Sequence, residues 1–243
     1  MWSNEVDIQR IRSNIEGFGF CAVNGLFTES DLAESEKLID ELMHSSGRVV
    51  RKLRREMAEN PPEEVWVQPE LSRPAMLSTK LRKSPVFETC QTLAANLFEA
   101  RAHYLFDHAI YKMPRTTATT PWHQDQAYLG EHVHSPSIHF WIPFQQVSEH
   151  NGAMRFATDQ PGHLLPHGPA FASNPHLLAV SAPPTDFHSA NLQRGGASLH
   201  TNLTLHGTGP NPSDEIRKAW VIHFGRHPAW HKRVMQLKAR WKK

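Results

Sequence analysis

Pro121-Trp122-His123-Gln124-Asp125-Gln126 is the stretch around which the rest of the chain can be read. His123 and Asp125 stand two residues apart. On a β-strand, where side chains alternate between faces, they point the same way. An imidazole and a carboxylate on one face can fill two adjacent positions around a metal ion. A third donor has to arrive from elsewhere, and His206 is the best-placed candidate. Two histidines and one carboxylate on one side of a ferrous ion leave three positions open for a co-substrate and oxygen, the facial arrangement of non-haem iron sites. Histidine is abundant, at 17 of 243 residues, so chance alone gives about half of one His-x-Asp pair. A surface histidine bonded to its neighbour explains the pair equally well until the context is added.

Composition bounds the context. A chain of 243 residues is long enough for one large all-β domain and buries a core without disulfides or structural metals. Its 18 prolines predict many turns and short strands. The net charge of +2 with neutral histidines gives no electrostatic reason to expect nucleic acid as a partner. Cys21 and Cys90 form no metal or redox motif and read as small apolar core residues. No basic, then apolar, leader opens the sequence, and no run approaches about 18 apolar residues. The expectation is a cytoplasmic protein, monomer or homodimer, with no membrane span.

The first hundred residues read as helical. Val6, Ile8, Ile11 and Ile15 share a helix face that Gly17 would end. Phe18 to Val23 reads as a strand. Thr28 to Asp31 resembles a capping box before a helix running towards Gly47. Arg48, Arg51, Lys52, Arg54 and Arg55 form a basic run, read as a solvated face or as a rim that draws in an anion. Asn60-Pro61-Pro62 breaks the chain, and residues 63–83 read as an irregular segment over a pocket. Ser84-Pro85 starts another helix reaching about Phe98. From residue 103 the pattern changes to short aromatic and β-branched runs: 103–113, 122–128, 137–144, 153–157, 196–200, 203–207 and 218–224. This layout predicts a mainly β fold with N-terminal helices, of the jelly-roll, cupin-like type. One domain is expected, with a helical part over about 1–100, a β core over about 101–226 and a basic tail over 227–243.

Three features join the His-x-Asp pair. Leu203-Thr204-Leu205-His206 reads as an apolar strand ending in a histidine, followed by the Gly-rich turn Gly207-Thr208-Gly209-Pro210-Asn211. Arg217 opens the next apolar run, and a hairpin through Gly207 to Glu215 would return it beside the metal. Its planar fork suits a carboxylate, so a dicarboxylate held there can chelate iron with its other end. Trp141, if it faces inward from Ser137 to Phe144, walls that site against water.

These motifs together resemble the phytanoyl-CoA dioxygenase family of Fe(II)- and 2-oxoglutarate-dependent oxygenases, over roughly residues 8–226. Trp-His-Gln-Asp resembles the family's first metal motif. Trp141 falls at the spacing of a tryptophan beside the co-substrate. Asn151-Gly152-Ala153-Met154 resembles a turn before the next strand, and His206 to Asn211 followed by Arg217 resembles the distal histidine and co-substrate arginine. The resemblance implies a double-stranded β-helix and Fe(II) held by His123, Asp125 and His206. It also implies 2-oxoglutarate on Arg217 and Thr208 beside Trp141, and molecular oxygen as the other co-substrate. The histidine- and arginine-rich flanks hint at a small polar or anionic metabolite as the substrate, with hydroxylation as the expected reaction. Because Asp125 is present, the resemblance implies oxidation rather than halogenation. Pro161-Gly162-His163 departs from the family's usual Gly-Ser/Thr-His turn, and no lysine among Lys80, Lys83 and Lys112 aligns with the one some members place near the co-substrate.

Candidate substrate contacts are His139, which alternates with Trp141, and His200, Tyr111, Arg115 and Gln126. His132, His134, His163 and His167 read as loop residues. Val234, Leu237 and Trp241 in the basic tail are spaced as on a docked helix. Two other classes compete: a cupin-like metal-binding sensor without turnover, and a zinc hydrolase on the same ligands. Neither needs the arginine. Within the oxygenase class, desaturation and ring formation compete with hydroxylation.

Overall fold

The computed structural model describes residues 7–129 and 135–231. In chain order these form α1 (Ile8–Phe18), β1 (Phe20–Val23), α2 (Glu29–Met43), α3 (Arg48–Leu53), β2 (Arg54–Glu56), β3 (Pro69–Ser72), α4 (Pro74–Leu77), α5 (Thr79–Arg82), α6 (Pro85–Phe98), β4 (His103–Lys112), β5 (Thr120–His123), α7 (Gln126–Leu129), β6 (Ser137–Pro143), β7 (Met154–Ala157), β8 (His167–Pro169), β9 (Leu178–Val180), β10 (Phe187–Ser189), β11 (Ala197–Thr201), β12 (His206–Thr208) and β13 (Arg217–Gly225). A seven-stranded sheet runs β1-β11-β6-β13-β4-β3-β2, and a four-stranded sheet runs β10-β7-β12-β5. The strands of both sheets pair antiparallel. Two facing antiparallel sheets preceded by helices make the jelly roll that the spacing of short strands predicts.

Capping residues place the helices. Thr28 Oγ1 accepts from the Asp31 amide, and Ser84 Oγ from the Phe87 amide with Pro85 at the first position. The first helix ends one turn-step later than Gly17 suggests. Gly19, at φ 77°, is the left-handed cap, and its N–H donates to Ile15. Side-chain alternation then splits the large sheet into two buried faces. Phe140 and Ile142 of β6 and Trp220, Ile222 and Phe224 of β13 join one apolar cluster with Ile11, Leu32, Ile39, Phe87 and Leu93 from the helices. Trp141 and Val221, one residue out of step, join Val147, Met154 and Phe156 in a second cluster between the sheets. Both cysteines are buried and unpaired, as small apolar residues would be.

Three local readings change. β5 ends at His123, and Asp125 sits in the turn into α7. Strand alternation therefore does not explain their convergence. β12 begins at His206 rather than ending there, because His206 pairs with His123 and Phe156. The segment after it is a crossover, not a hairpin: β12 lies in the small sheet, whereas Arg217 pairs with Lys112 in the large one. Residues 63–83 contribute β3, which extends the large sheet beside β4. His132, His134 and residues 232–243 lie outside the described residues.

Asp107 ties the helices to this sheet. Its buried carboxylate accepts from the Tyr104 hydroxyl (2.6 Å), the Trp220 indole N–H (2.9 Å) and the Ala75 amide (2.9 Å). Leucine there leaves three buried donors without an acceptor, at about 1–3 kcal/mol for each donor left bare. Asp107→Leu is expected to lower the urea-unfolding free energy by about 3 kcal/mol; a change under about 0.5 kcal/mol would show that these donors find other acceptors.

Candidate active site

The two sheets enclose a cavity of about 610 Å³. His123, at the end of β5, and His206, at the start of β12, are register partners, with ring centroids 4.3 Å apart. The Nδ1 of His123 lies 2.8 Å from the Pro121 carbonyl, and that of His206 2.8 Å from the Thr204 carbonyl. Each Nδ1–H donates to its carbonyl, which fixes the tautomer and leaves the Nε2 lone pair facing the cavity. Asp125 faces both: Oδ1 is 3.5 Å from His123 Nε2, and Oδ2 is 3.8 Å from His206 Nε2. Donor atoms of the three residues lie within 4.8 Å of one another.

Gln124, between the two motif residues, is fully buried. Its amide donates to the carbonyls of His163 (2.8 Å) and Leu203 (2.6 Å), and its Oε1 accepts from the Leu165 amide (2.8 Å). His167 Nε2 accepts from the Gln124 backbone (3.0 Å). His163 and His167 thus help to brace the turn that swings Asp125 under His123.

Asp125 is also held from the large sheet. His139 Nδ1 lies 2.6 Å from its Oδ2, and His139 Nε2 lies 2.8 Å from the Ser137 hydroxyl. His200 Nε2 is 3.5 Å from the same carboxylate oxygen. Burial alone would raise the Asp125 carboxyl; the facing imidazoles of His139 and His206 and the contacts with His123 and His139 hold it well below the usual carboxylate range. Burial, then the His123 and His200 rings, push His206 well below ordinary imidazole. Burial lowers His123 too, but the Asp125 contact lifts it above its ordinary value, marking the spot between them as one that favours a positive charge. Burial pushes His200 down to about 4, with both ring nitrogens buried and only the 3.5 Å approach of Nε2 to Asp125 as a polar contact. Asp125, His139 and His223 form a second close trio, but both nitrogens of His139 are already engaged.

At one end of the cavity lies Arg217. It is buried, its Nη1 donates to the Ile110 carbonyl (3.2 Å), its Nε has no partner, and its guanidinium stacks 5.4 Å over the Trp141 ring. No acidic group among the described residues pairs with it, and burial brings its pKa down to about 9. Its register partner Lys112 is also fully buried, donating to the Ala118 carbonyl (2.7 Å). Burial and the Arg217 and Arg155 charges push the Lys112 ammonium well below the lysine range. A buried guanidinium without a carboxylate, beside a buried lysine, leaves room for an anion that the chain does not supply. Thr208 Oγ1 donates to Thr120 Oγ1 (2.8 Å), which also accepts from Gln68 (3.0 Å), so the Thr120 proton is left for the cavity.

The residues therefore fit a divalent metal with a dicarboxylate beside it. The donor set is two neutral imidazoles and a carboxylate, and an uncompensated buried guanidinium opens on the same cavity. His139 and His200 line it too. Other expected substrate contacts fall elsewhere. Tyr111 is buried away from the cavity, its hydroxyl donating to Asp40 (2.5 Å). Arg115 is exposed and paired with Asp214 (2.6 Å). Gln126 is buried behind the site, accepting from the Asn202 amide (2.5 Å). Within the basic run, Arg55 reaches the cavity rim and pairs with Glu70. Sequence reasoning missed Thr120, Glu70, His108 and His223. Counting in twos from Arg217 along β13 finds His223.

The profile described as Phytanoyl-CoA dioxygenase (PhyH) matches residues 15–219. The chain belongs to the phytanoyl-CoA dioxygenase family. Its fold agrees with that of EvdO2 from Micromonospora carbonacea var. aurantiaca, at 25% identity, 91% coverage of each chain and a TM-score of 0.77. EvdO2 has also been solved complexed with 2-oxoglutarate. The epimerase SnoN, solved with Fe3+, alpha ketoglutarate and nogalamycin RO, shares the fold at 18% identity over 90% of this chain and 83% of its own, TM-score 0.69. A probable alpha-ketoglutarate-dependent hypophosphite dioxygenase of Stutzerimonas stutzeri is 29% identical over 124 residues, 48% of this chain and 43% of that one. This chain thus matches less than half the length of that relative. Iron, 2-oxoglutarate and dioxygen are the cofactors that go with the phytanoyl-CoA dioxygenase family.

His139→Phe removes the N–H that orients Asp125 and is expected to weaken Co(II) affinity at least tenfold, whereas His139→Asn, which keeps a donor, loses less. Equal affinity in wild type and His139→Phe would show that the bond carries nothing. Glu70 is fully buried; burial alone would raise its carboxyl, but hydrogen bonds and charge from His108 and Arg55 bring it down from 4.5 to about 2. Its folded value is lowered, so its contribution is present above the unfolded value and lost as pH falls from about 4.5 towards 2. That loss should amount to about 3 kcal/mol in acid unfolding. Glu70→Gln should flatten this slope; an unaltered slope would remove Glu70 from the account.

Proposed function

We propose that the chain is an Fe(II)- and 2-oxoglutarate-dependent oxygenase acting on a small polar metabolite, with hydroxylation as its reaction and succinate and carbon dioxide as co-products. What carries this reading is the pairing, in one cavity, of the His123–Asp125–His206 cluster with the buried, uncompensated guanidinium of Arg217. A sensor or a zinc hydrolase has use for the cluster but not for the guanidinium.

The roles follow from position. His123 and His206 present Nε2 and Asp125 a carboxylate oxygen to the iron. Bound there together, iron and 2-oxoglutarate supply the oxidising power to break an unactivated C–H bond. Arg217 would receive the far carboxylate of 2-oxoglutarate through its guanidinium, with Lys112 beside it on the neighbouring strand. Thr120 and Thr208 offer hydroxyls at the same end, and Trp141 covers it against water. His139 holds Asp125 in the orientation that meets His123 and His206.

The same proposal includes one domain for the whole chain, since helices and sheet share a single apolar cluster. Among the described residues, no helix is long and apolar enough to cross a membrane. A cytoplasmic setting accords with two buried, unpaired cysteines.

Succinate formation from 2-oxoglutarate should require both added Fe(II) and oxygen. Arg217→Met should raise the apparent KM for 2-oxoglutarate at least tenfold, because a charge-assisted bidentate pair is worth more than about 1.4 kcal/mol. His123→Ala should abolish Fe(II) binding. Full iron affinity in that variant, or an unchanged KM in the other, would sink the corresponding assignment.

A further inference from the structure

The cavity has a second polar end that the proposed cofactors leave unused. Arg217 and His223 lie six residues apart on the same face of β13, roughly 20 Å at about 3.3 Å per residue. At the far end His223 faces Phe106 and His108, with ring centroids 5.5 and 5.4 Å away. His223 Nε2 is buried with no hydrogen-bond partner. His108 Nδ1 lies 2.6 Å from Glu70 Oε1, while Arg55 engages Glu70 Oε2. All four polar residues and Phe106 line the cavity.

The chemistry of these groups selects a ligand. Glu70 takes the Nδ1–H of His108, so His108 offers its Nε2 lone pair to the cavity as an acceptor. His223, stacked 3.8 Å from His139 and with a ring nitrogen within 4.8 Å of an Asp125 oxygen, makes no hydrogen bond to that carboxylate and can donate an N–H. One hydroxyl donates and accepts at once, so it can bridge two rings 5.4 Å apart. A carboxylate or phosphate has no proton for His108 and meets the Glu70 charge behind it; Arg55 is already spent on that charge, and Arg73, the other guanidinium that lines the cavity near Phe106, packs 4.9 Å over that ring. An ammonium cannot accept from His223. A buried unpartnered nitrogen beside an oriented acceptor is an incomplete hydrogen-bond site, which a ligand hydroxyl completes.

We propose that Glu70, His108 and His223 form a subsite that binds a hydroxyl group of the primary substrate, which is an uncharged, hydroxyl-bearing small molecule. Phe106 and Leu178, which also line the cavity, give its carbon skeleton an apolar surface. With its hydroxyl held here, the substrate extends towards the His123–Asp125–His206 cluster. The inference rests on the oxygenase reading, because it takes the other end of the cavity to be filled by 2-oxoglutarate.

The test uses full-length protein loaded with Co(II) and 2-oxoglutarate, which holds off turnover. Saturation-transfer NMR then compares methyl β-D-glucopyranoside and cis-cyclohexane-1,2-diol with their charged counterparts, glucuronate and cyclohexane-1,2-dicarboxylate. The hydroxylated, uncharged probes are expected to bind in preference. His223→Phe and His108→Phe should each weaken them at least tenfold, and the double variant should lose little more than either single one, since both rings grip one hydroxyl. His223→Gln, which keeps an N–H donor, should recover part of the loss. His223 makes no hydrogen bond within the protein, so unchanged Co(II) affinity and thermal midpoint will mark its variants as folded. Preference for the carboxylates, no binding of any hydroxylated probe, or unaltered binding in the variants would overturn the proposal. If wild-type protein takes up neither Co(II) nor 2-oxoglutarate, the oxygenase reading itself has failed, and the subsite falls with it.

Discussion

A single carboxylate holds the two halves of this structure in register. Asp125 meets His123 and His206 from the small sheet and His139 and His200 from the large one. A buried carboxylate is costly unless it is surrounded by donors or cations. The chain meets that cost with imidazoles rather than with an arginine, and the choice has consequences. Neutral imidazoles keep lone pairs available, where a guanidinium would have neutralised the site for good. Gln124 and the loop that it pins exist to hold Asp125 in the one turn where it reaches both sheets.

The large sheet explains why the site can be so polar. β6 is buried at every position from Ser137 to Pro143, and β13 at nearly every position. The helices cover one face with a continuous apolar cluster, and that face supplies the hydrophobic stabilisation. The inward face is thereby released from packing duty. It carries Ser137, His139 and Trp141 on β6, His200 on β11, and Arg217, Val221 and His223 on β13. Polar groups that a two-sided core would have to exclude are tolerated here because they line a cavity.

Much of this was legible in the sequence, and several of the exceptions share a cause. The turn residues and short aromatic runs predict the jelly roll, because local propensity and packing agree. Trp-His-Gln-Asp and the His206 to Arg217 segment are compact enough to be read as units. Tyr111, His108 and His223 depend on parity within strands buried largely on both faces, where hydrophobicity no longer alternates; Arg115 and Gln126 lie outside those strands. Tyr111 shares the parity of Asp107 and Ala109 on β4, the side facing the helices, and meets Asp40, 71 residues away. His108, on the opposite parity, faces the cavity. Without one anchored residue on β4 the two faces cannot be told apart. Arg217 supplies that anchor for β13, and hence for His223. Glu70 sits in a segment with no strand signal, and only its pairing with β4 brings it inward.

The two ends of the cavity differ in how their charges are settled, and that difference sets a direction. Glu70 has Arg55 and His108, so the end it occupies asks only for hydrogen bonds. Arg217 and Lys112 have no carboxylate, so their end asks for charge. A buried cation without a counter-ion is destabilising on its own account, and it persists in a fold only where something else repays it. An anion docking on Arg217 gains what the folded chain forgoes, and it gains nothing comparable beside Glu70. On the proposed reading, the dicarboxylate is thereby sorted to the Trp141 end without any need for shape to exclude it from the other, and the space beyond the proposed metal cluster is left to a ligand that brings hydroxyls instead of charge.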